Sequence, residues 1–309
     1  MGEGSGYGKV ILFNEHFVVY GIPAIASAIG SKTIAKVEQI EGQGWSLDDD
    51  RPATPGYKKE KMEHQRDSIE RILKAAAIDV NQTPINIYLV GDLKAASGVG
   101  ASAASCAAIA RALSAEFKLG FLDEKINEIA FEGEKGYHGT PSGIDNTVAT
   151  FGGLIWFKKG VPNIMEGLTL KQPVEIVMGN TGIVANTKEA VAGVRDRKQK
   201  DPVKYDRLFG AANELAKYAR SALVSYDLET VGKLMDKNHE LLQSIEVSST
   251  ELDFLVEVAR EQGAYGAKMT GGGLGGYMVA LTPGEEIQER VARAIEKEGF
   301  EALRTEIGV

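Results

Sequence analysis

Four segments of the chain carry residue types and spacings that can do chemistry. The first reads Gly98, Val99, Gly100, Ala101, Ser102, Ala103 and Ala104. It follows a predicted strand and opens a predicted helix. Glycines let the backbone approach a phosphate closely, and a helix start offers N–H groups and a positive dipole end. The segment is therefore a candidate phosphate site with a Mg²⁺-binding hydroxyl at Ser102, and the alternative is a helix-packing turn whose glycines serve only positive φ angles.

A pair of carboxylates forms the second candidate. Glu134 lies near the end of a predicted helix, and Asp145 lies in the segment HGTPSGIDN, residues 138–146, which is predicted as a loop, just after its Pro and Gly residues. One carboxylate can bind Mg²⁺ while the other acts on a substrate hydroxyl. The alternative is a capped loop in which Asp145 bonds its own backbone.

The third and fourth candidates lie near the two ends of the chain. Lys9 stands at the start of an apolar strand, with Glu15 and His16 in the next turn. A lysine is rarely buried without a partner, so Lys9 either pairs with a carboxylate or polarises a substrate oxygen, unless it simply reaches solvent at the strand end. The run at residues 271–276 begins with Gly271, Gly272 and Gly273. Its entropic cost is better explained by a close-approach loop than by a simple turn.

The chain does not match either of two known nucleotide-binding patterns. A P-loop needs Gly-Lys followed by Ser or Thr, and neither Gly8-Lys9 nor Gly232-Lys233 has it. A dinucleotide fold needs an acidic residue about 20 positions after the glycines, at the end of the next strand. The nearest acidic residue, Glu116, lies within the predicted helix instead.

Length and composition describe an ordinary globular protein. The chain has 309 residues, so two domains are expected. A net charge of −8 excludes a general nucleic-acid binder. The single cysteine, Cys106, allows no intrachain disulfide, which fits a reducing compartment. We expect neither a signal peptide nor a membrane span, since the longest near-apolar stretch, residues 17–29, is too short.

Hydrophobic periodicity predicts the elements that position these candidates. Strands are expected at 9–13, 17–20, 24–29, 33–40, 85–90, 153–157, in VEIVMG from 174 and in YMVALT from 277. Helices are expected at about 61–77, from the glycine turn to about 119, and at 123–136, 187–199, 206–225, 227–244, 251–262 and 285–298. Residues 41–60 are predicted to be an exposed loop, and a composition shift near 158–172 is the candidate domain boundary. The fold class is α+β, with domains at 1–160 and 161–309.

Taken together, these segments resemble the superfamily of galactokinase, homoserine kinase, mevalonate kinase and phosphomevalonate kinase. Its three motifs occur in family order over nearly the full chain. Within it, GKVILFNEHFVVYG at 8–21, EGEKGYHGTPSGIDN at 132–146 and NTKEAVAGVR at 186–195 look most like the mevalonate kinases. The resemblance implies a two-domain small-molecule kinase fold with its active site in the cleft between the domains. The N-terminal domain would bind ATP and Mg²⁺, and the C-terminal domain would supply the substrate side.

The resemblance also implies a role for each candidate residue. Residues 98–104 would hold the ATP phosphates, and Ser102 and Glu134 would hold Mg²⁺. Asp145 would act on the C5 hydroxyl of mevalonate as base or charge stabiliser, and Lys9 would pair with Asp145 and polarise that hydroxyl. The implied substrate contacts are Glu15 and His16 for the hydroxyls, Arg195 and Lys188 for the carboxylate, and Gly271, Gly272 and Gly273 along the bordering loop.

The expected activity is therefore the ATP-dependent phosphorylation of mevalonate to 5-phosphomevalonate in isoprenoid biosynthesis, in a cytoplasmic enzyme for which the family suggests a homodimer. Alternatives are a kinase of the same superfamily acting on another alcohol, such as phosphomevalonate or homoserine, or an inactive ligand sensor on the same fold. The chain departs from the family pattern at Tyr7, Asn14, Ala101, Gly272 and Leu274. Gly272, in place of the usual alanine, is expected to enlarge the space beside the substrate.

Overall fold

The computed structural model describes residues 1–95, 98–185 and 187–309, and for Lys188 the backbone alone. The chain forms two compact units. The first consists of residues 1–9 and 28–152, and the second of residues 10–27 and 153–309. The predicted domains, 1–160 and 161–309, were each one continuous stretch, and their division of labour between ATP and substrate stays a prediction.

The first unit combines a sheet with four helices in the part of the chain that is described. The strands β1 and β2 belong to it in part; they span Gly2–Phe13 and Ala24–Gln39. The remaining elements are β3 (Trp45–Asp49), α1 (Tyr57–Ala75), β4 (Ile85–Val90), α2 (Ala101–Glu116), α3 (Asp123–His138) and α4 (Ile144–Phe151). Strand β4 pairs antiparallel with β2 and parallel with β3, and β1 pairs with β2.

Small residues bring β1 and α2 into direct contact. Gly2, Gly4 and Gly6 share one face of β1, because alternate residues of a strand point the same way. A Cβ at any of them would overlap atoms of α2, whose side chains there are mostly alanine. On its other sides α2 contacts α3 and α4. The alanine-rich sequence of α2 thus lets the helix lie along β1, with its last turn beside Gly2 and its first turn beside Gly6.

The second unit contains the rest of β1 and β2 and the C-terminal half of the chain. Its further elements are β5 (Leu154–Lys158), β6 (Ile164–Leu168), β7 (Val174–Asn180), α5 (Thr187–Lys200), α6 (Pro202–Val224), α7 (Leu228–Ser244), α8 (Thr250–Glu261), β8 (Gly266–Thr270), β9 (Tyr277–Leu281), α9 (Glu285–Lys297) and β10 (Glu301–Ile307). Four antiparallel strands are ordered β10-β7-β9-β8. Strand β5 pairs with β6 and with the first residues of β2.

Several local predictions were wrong, each for a physical reason. Residues 17–20 form a 3₁₀ helix, not a strand, because Gly21 ends the turn at φ 78° and its N–H bonds to Val18 O. The predicted loop 41–60 contains β3 and the start of α1. The two strands predicted at 24–29 and 33–40 form one strand, β2, from Ala24 to Gln39.

Two strands, β8 and β10, were not predicted, and β6 lies inside the predicted boundary segment. Each of the three is short, five to seven residues. Short runs of this kind carry a weak periodic signal. In the described ranges, none of the helices has the length and apolar character needed to cross a bilayer.

Candidate active site

The glycine segment of the first unit opens α2 as predicted. Gly98 and Gly100 have φ angles of 99° and 71°, and Gly100 is the N-cap of α2. A Cβ on Gly100 would lie 3.0 Å from the Cβ of Lys9, and the Lys9 N–H donates to Val99 O at 2.8 Å. The glycines therefore serve both positive φ angles and a close approach to β1. In the described chain no side chain caps α2, so its first turn is available to an anion.

Lys9 and Asp145 form an ion pair in this unit. Lys9 Nζ lies 3.2 Å from Asp145 Oδ1, and the side chains are 6% and 31% exposed. The sequence predicted a loop at Asp145. The residue instead lies in the first turn of α4, which Gly143 begins at φ 90°. The helix start fixes the Asp145 backbone, and Asn146 ties α4 to α3 by donating to Asn127 Oδ1 at 2.7 Å. The carboxylate is therefore held beside Lys9 while part of it stays open to a ligand.

Ser102 and Glu134 also come together. Ser102 Oγ lies 3.3 Å from His138 Nε2, and Glu134 Oε2 lies 3.8 Å from the same nitrogen. Glu134 is 1% exposed, and its Oε1 has no hydrogen-bond partner among the described residues. Burial raises the pKa of Glu134 to about 8, and the nearby Asp145 charge adds to the rise, while the Ser102 hydrogen bond and Lys9 act against it. The basic group that contacts this carboxylate in the described part of the chain is the His138 ring, whose own pKa is lowered by burial.

This donor set fits Mg²⁺. The described residues contain no group of three or more His, Cys, Asp or Glu side chains that would form a complete cation site. Mg²⁺ usually takes one or two protein oxygens and completes its shell with water and substrate phosphates. Glu134 Oε1 is an orphaned buried acceptor, and the Ser102 hydroxyl lies at the start of the same helix that would bind phosphate. One carboxylate and one hydroxyl therefore suit a nucleotide-bound cation better than a free one.

In the second unit, Glu15 and His16 are both buried. His16 is 3% exposed, and its Nε2 donates to Gly272 O at 2.9 Å, so that Nδ1 is left as an acceptor. Nδ1 has no partner in the described part of the chain. Glu15 forms an ion pair with Lys268, which is 0% exposed. Sequence reasoning missed Lys268, although a lysine between Ala267 and Met269, just before the glycine run, was a usable signal.

Asn14 supports the turn that carries Glu15 and His16. It adopts a φ of 71°, as its side chain tolerates, in place of the family's glycine. Its side chain donates to Pro23 O and Ala212 O, and it exchanges hydrogen bonds with Asn238. Asn14 therefore supports a turn with a positive φ angle just before Glu15.

The glycine run at 271–276 packs closely against its own unit. A Cβ on Gly272 would overlap Thr187 Oγ1, and one on Gly273 would overlap Val247 O. The prediction that Gly272 enlarges a space was therefore wrong, because Thr187 fills it. Leu274 takes a φ of 55° and its N–H donates to Val247 O at 2.8 Å. Packing within the unit accounts for these glycines, and a substrate contact by the loop stays a prediction.

The predicted carboxylate-binding residues lie on α5. Arg195 is 63% exposed and contacts Asp196 at 3.3 Å. The side chain of Lys188 lies outside the described residues. Arg197, two positions on, is more enclosed: it donates to Tyr205 Oη and to Ile245 O. Arg195 is thus the arginine of this helix that is open to an anion.

Comparisons with known proteins give a consistent result. The profiles of the "GHMP kinases N terminal domain" and "GHMP kinases C terminal" match residues 67–153 and 219–302. A mevalonate kinase of Thermococcus sibiricus is 35% identical, over 98% of this chain and 95% of its own. One of Thermococcus gammatolerans is 36% identical over the same shares. A crystal structure of L. major mevalonate kinase in complex with R-mevalonate superposes with a TM-score of 0.95 at 38% identity, covering 99% of this chain and 96% of that one.

Proposed function

The chain belongs to the mevalonate kinase family of the GHMP kinases, and on that premise we propose that it transfers the γ-phosphoryl group of ATP to the C5 hydroxyl of mevalonate. The observation that carries the proposal is the arrangement in the first unit. There the Lys9–Asp145 ion pair, the Ser102–Glu134 pair and the uncapped start of α2 occur together. A sensor that only binds its ligand would not need the Lys9–Asp145 ion pair.

Each of these groups has a task in phosphoryl transfer. The glycine segment and the first turn of α2, residues 98–104, bind the ATP phosphates through backbone N–H groups. Ser102 and Glu134 would hold Mg²⁺, which would supply charge neutralisation for the ATP phosphates. The bound ion would also offset the cost of burying the charge of the Glu134 carboxylate.

Asp145 and Lys9 act on the alcohol. The C5 oxygen forms the new bond to the γ-phosphorus as the bond from that phosphorus to the β-phosphate oxygen breaks. The hydroxyl proton leaves to Asp145 when the carboxylate acts as base, or passes to the product phosphate when it acts as a charge stabiliser. Lys9 polarises the attacking oxygen and keeps Asp145 in place. Positioning and charge neutralisation supply most of the catalysis in such transfers.

The second unit supplies the recognition of mevalonate in this proposal. Glu15 and His16 offer acceptors to its hydroxyl groups, and Arg195, with Lys188, binds its carboxylate. The loop from Gly271 to Gly273 borders the substrate. A cytoplasmic homodimer is the further prediction that the family resemblance suggests.

A coupled ADP-release assay tests the proposed function. It is run with mevalonate, phosphomevalonate, homoserine and galactose under the same conditions. We expect ADP release with mevalonate at a kcat/KM at least about tenfold above that for the other three. A higher kcat/KM with another alcohol would identify the protein as a kinase of the same superfamily with a different substrate. No ADP release with any of the four alcohols would favour the inactive ligand sensor.

A further inference from the structure

Lys268 is a charged side chain in the middle of an apolar strand. All five residues of β8, Gly266–Thr270, are buried, and Lys268 is 0% exposed. Its ammonium group pairs with the Glu15 carboxylate and donates to Met269 O at 2.6 Å. Burial lowers the pKa of Lys268, and the Glu15 charge and hydrogen bond counteract that change. Since an unpaired charge at this depth is very costly, each member of the pair depends on the other.

Stability alone does not explain this buried ion pair. The desolvation of two charges offsets most of their attraction, and apolar residues of similar volume often replace such pairs without loss. Removing one member is far more damaging than removing both. The pair is better explained by the geometry it imposes on Glu15.

Two neighbouring contacts hold the same two segments together. The Thr270 hydroxyl donates to Ile11 O at 2.9 Å, on the strand that leads to Glu15. The His16 ring donates to Gly272 O at 2.9 Å, on the loop that follows β8. The turn with Glu15 and His16 is therefore attached to β8 and its loop at three successive points. The ion pair is the charged one of the three.

We propose that Lys268 is a positioning residue for substrate binding, which holds Glu15 as an oriented carboxylate so that Glu15 and His16 both present acceptors to the hydroxyl groups of mevalonate. This rests on the proposed function and deepens it. Without the ammonium group, a carboxylate at this depth gains a proton and becomes a donor, or turns away. His16 Nδ1, a buried acceptor on the next residue, would then be left as the single acceptor of this pair for the substrate hydroxyl groups.

Steady-state kinetics of three variants test this role. Lys268→Met and Glu15→Gln each remove one charge, and the double variant Glu15→Gln/Lys268→Met removes both. A hydrogen bond to a charged group contributes enough that each single variant should raise the KM for mevalonate about tenfold or more. The kcat and the KM for ATP should stay within about threefold, because the loss is in substrate binding. Lys36→Met, which breaks an exposed ion pair with Glu3, is the matched control.

The double variant separates positioning from stability. If the pair acts as a unit, the double variant raises the KM for mevalonate no further than Glu15→Gln alone, while its melting temperature exceeds that of Lys268→Met. A double variant with the wild-type KM for mevalonate overturns the inference, even when Lys268→Met fails to fold. A folded Lys268→Met with an unchanged KM overturns it as well. A wild-type enzyme without mevalonate turnover would refute the proposed function and this inference with it.

Discussion

Replacing His16 with glutamine tests how strongly the second unit keeps this ring neutral. Burial lowers the pKa of His16 from 6.5 to about 4; the hydrogen bond to Gly272 O acts against this, and the charges of Lys268 and Arg197 lower it further. A glutamine can still donate to Gly272 O but does not titrate. The variant therefore removes the protonation while it leaves the main hydrogen bond possible.

The difference in the pKa of His16 between the folded and unfolded states decides how stability changes with pH. The neutral ring is favoured in the folded state, so its contribution to stability is complete above pH 6.5 and is lost as the pH falls from 6.5 towards 4. At about 1.4 kcal/mol per pH unit, the full loss is about 3 kcal/mol. Between about pH 7.5 and about pH 5, wild type should lose about 2 kcal/mol more than His16→Gln. His16 is 3% exposed, so solvent screening reduces this little.

Urea unfolding at the two pH values measures the stability difference, and NMR titration of the histidine ring protons measures the pKa itself. His64→Gln, on the exposed face of α1, is the matched control for loss of a histidine. Parallel loss of stability in wild type and His16→Gln would refute the reasoning, as would a His16 resonance that titrates near pH 6.5. A neutral ring across this range keeps Nδ1 an acceptor, as the proposed contact with a hydroxyl requires.

Three further predictions concern the proposed reaction. Asp145→Asn should keep ATP binding but reduce kcat about 10²–10⁴-fold, measured by ADP release, and a loss of only about threefold would remove Asp145 from the mechanism. Ser102→Ala and Glu134→Gln should each raise the Mg²⁺ concentration for half-maximal rate, because each removes an oxygen ligand; unchanged Mg²⁺ titrations of both would contradict the metal assignment. Arg195→Lys should raise the KM for mevalonate with little change in kcat, because an ammonium cannot make the two parallel bonds of a guanidinium. Arg207→Ala, on the exposed face of α6, is its control, and equal KM values for Arg195→Ala and that control would show that the carboxylate is held elsewhere.

The regular elements were largely predictable from sequence. Strand β4 and helices α3 and α5–α9 agree with their hydrophobic periods to within a few residues, since each is long or strongly patterned. The glycine segment before α2 also predicted its own helix start, because positive φ angles are a local property of glycine. In the short strands β8 and β10, where the local preference was weak, pairing with β9 and β7 decided the structure.

The family resemblance, with the residue types, also indicated which charged groups belong together in the first unit. Lys9 and Asp145 are far apart in the chain, and the tertiary structure alone supplies their distance of 3.2 Å. Their roles in catalysis stay predictions.

The second unit depended most on tertiary structure. The partner of Glu15 lies 253 positions away at Lys268, and nothing local marks that pairing. The space beside Gly272 likewise depends on Thr187, which only the fold brings there. Burial and charge pairing are set by what packs around a residue, whereas helix starts and strand periods are set by the residue and its neighbours in the chain. The sequence by itself therefore determined the family resemblance, most of the regular elements and the candidate residues, and the tertiary structure decided which of those residues are buried, paired and open to a ligand.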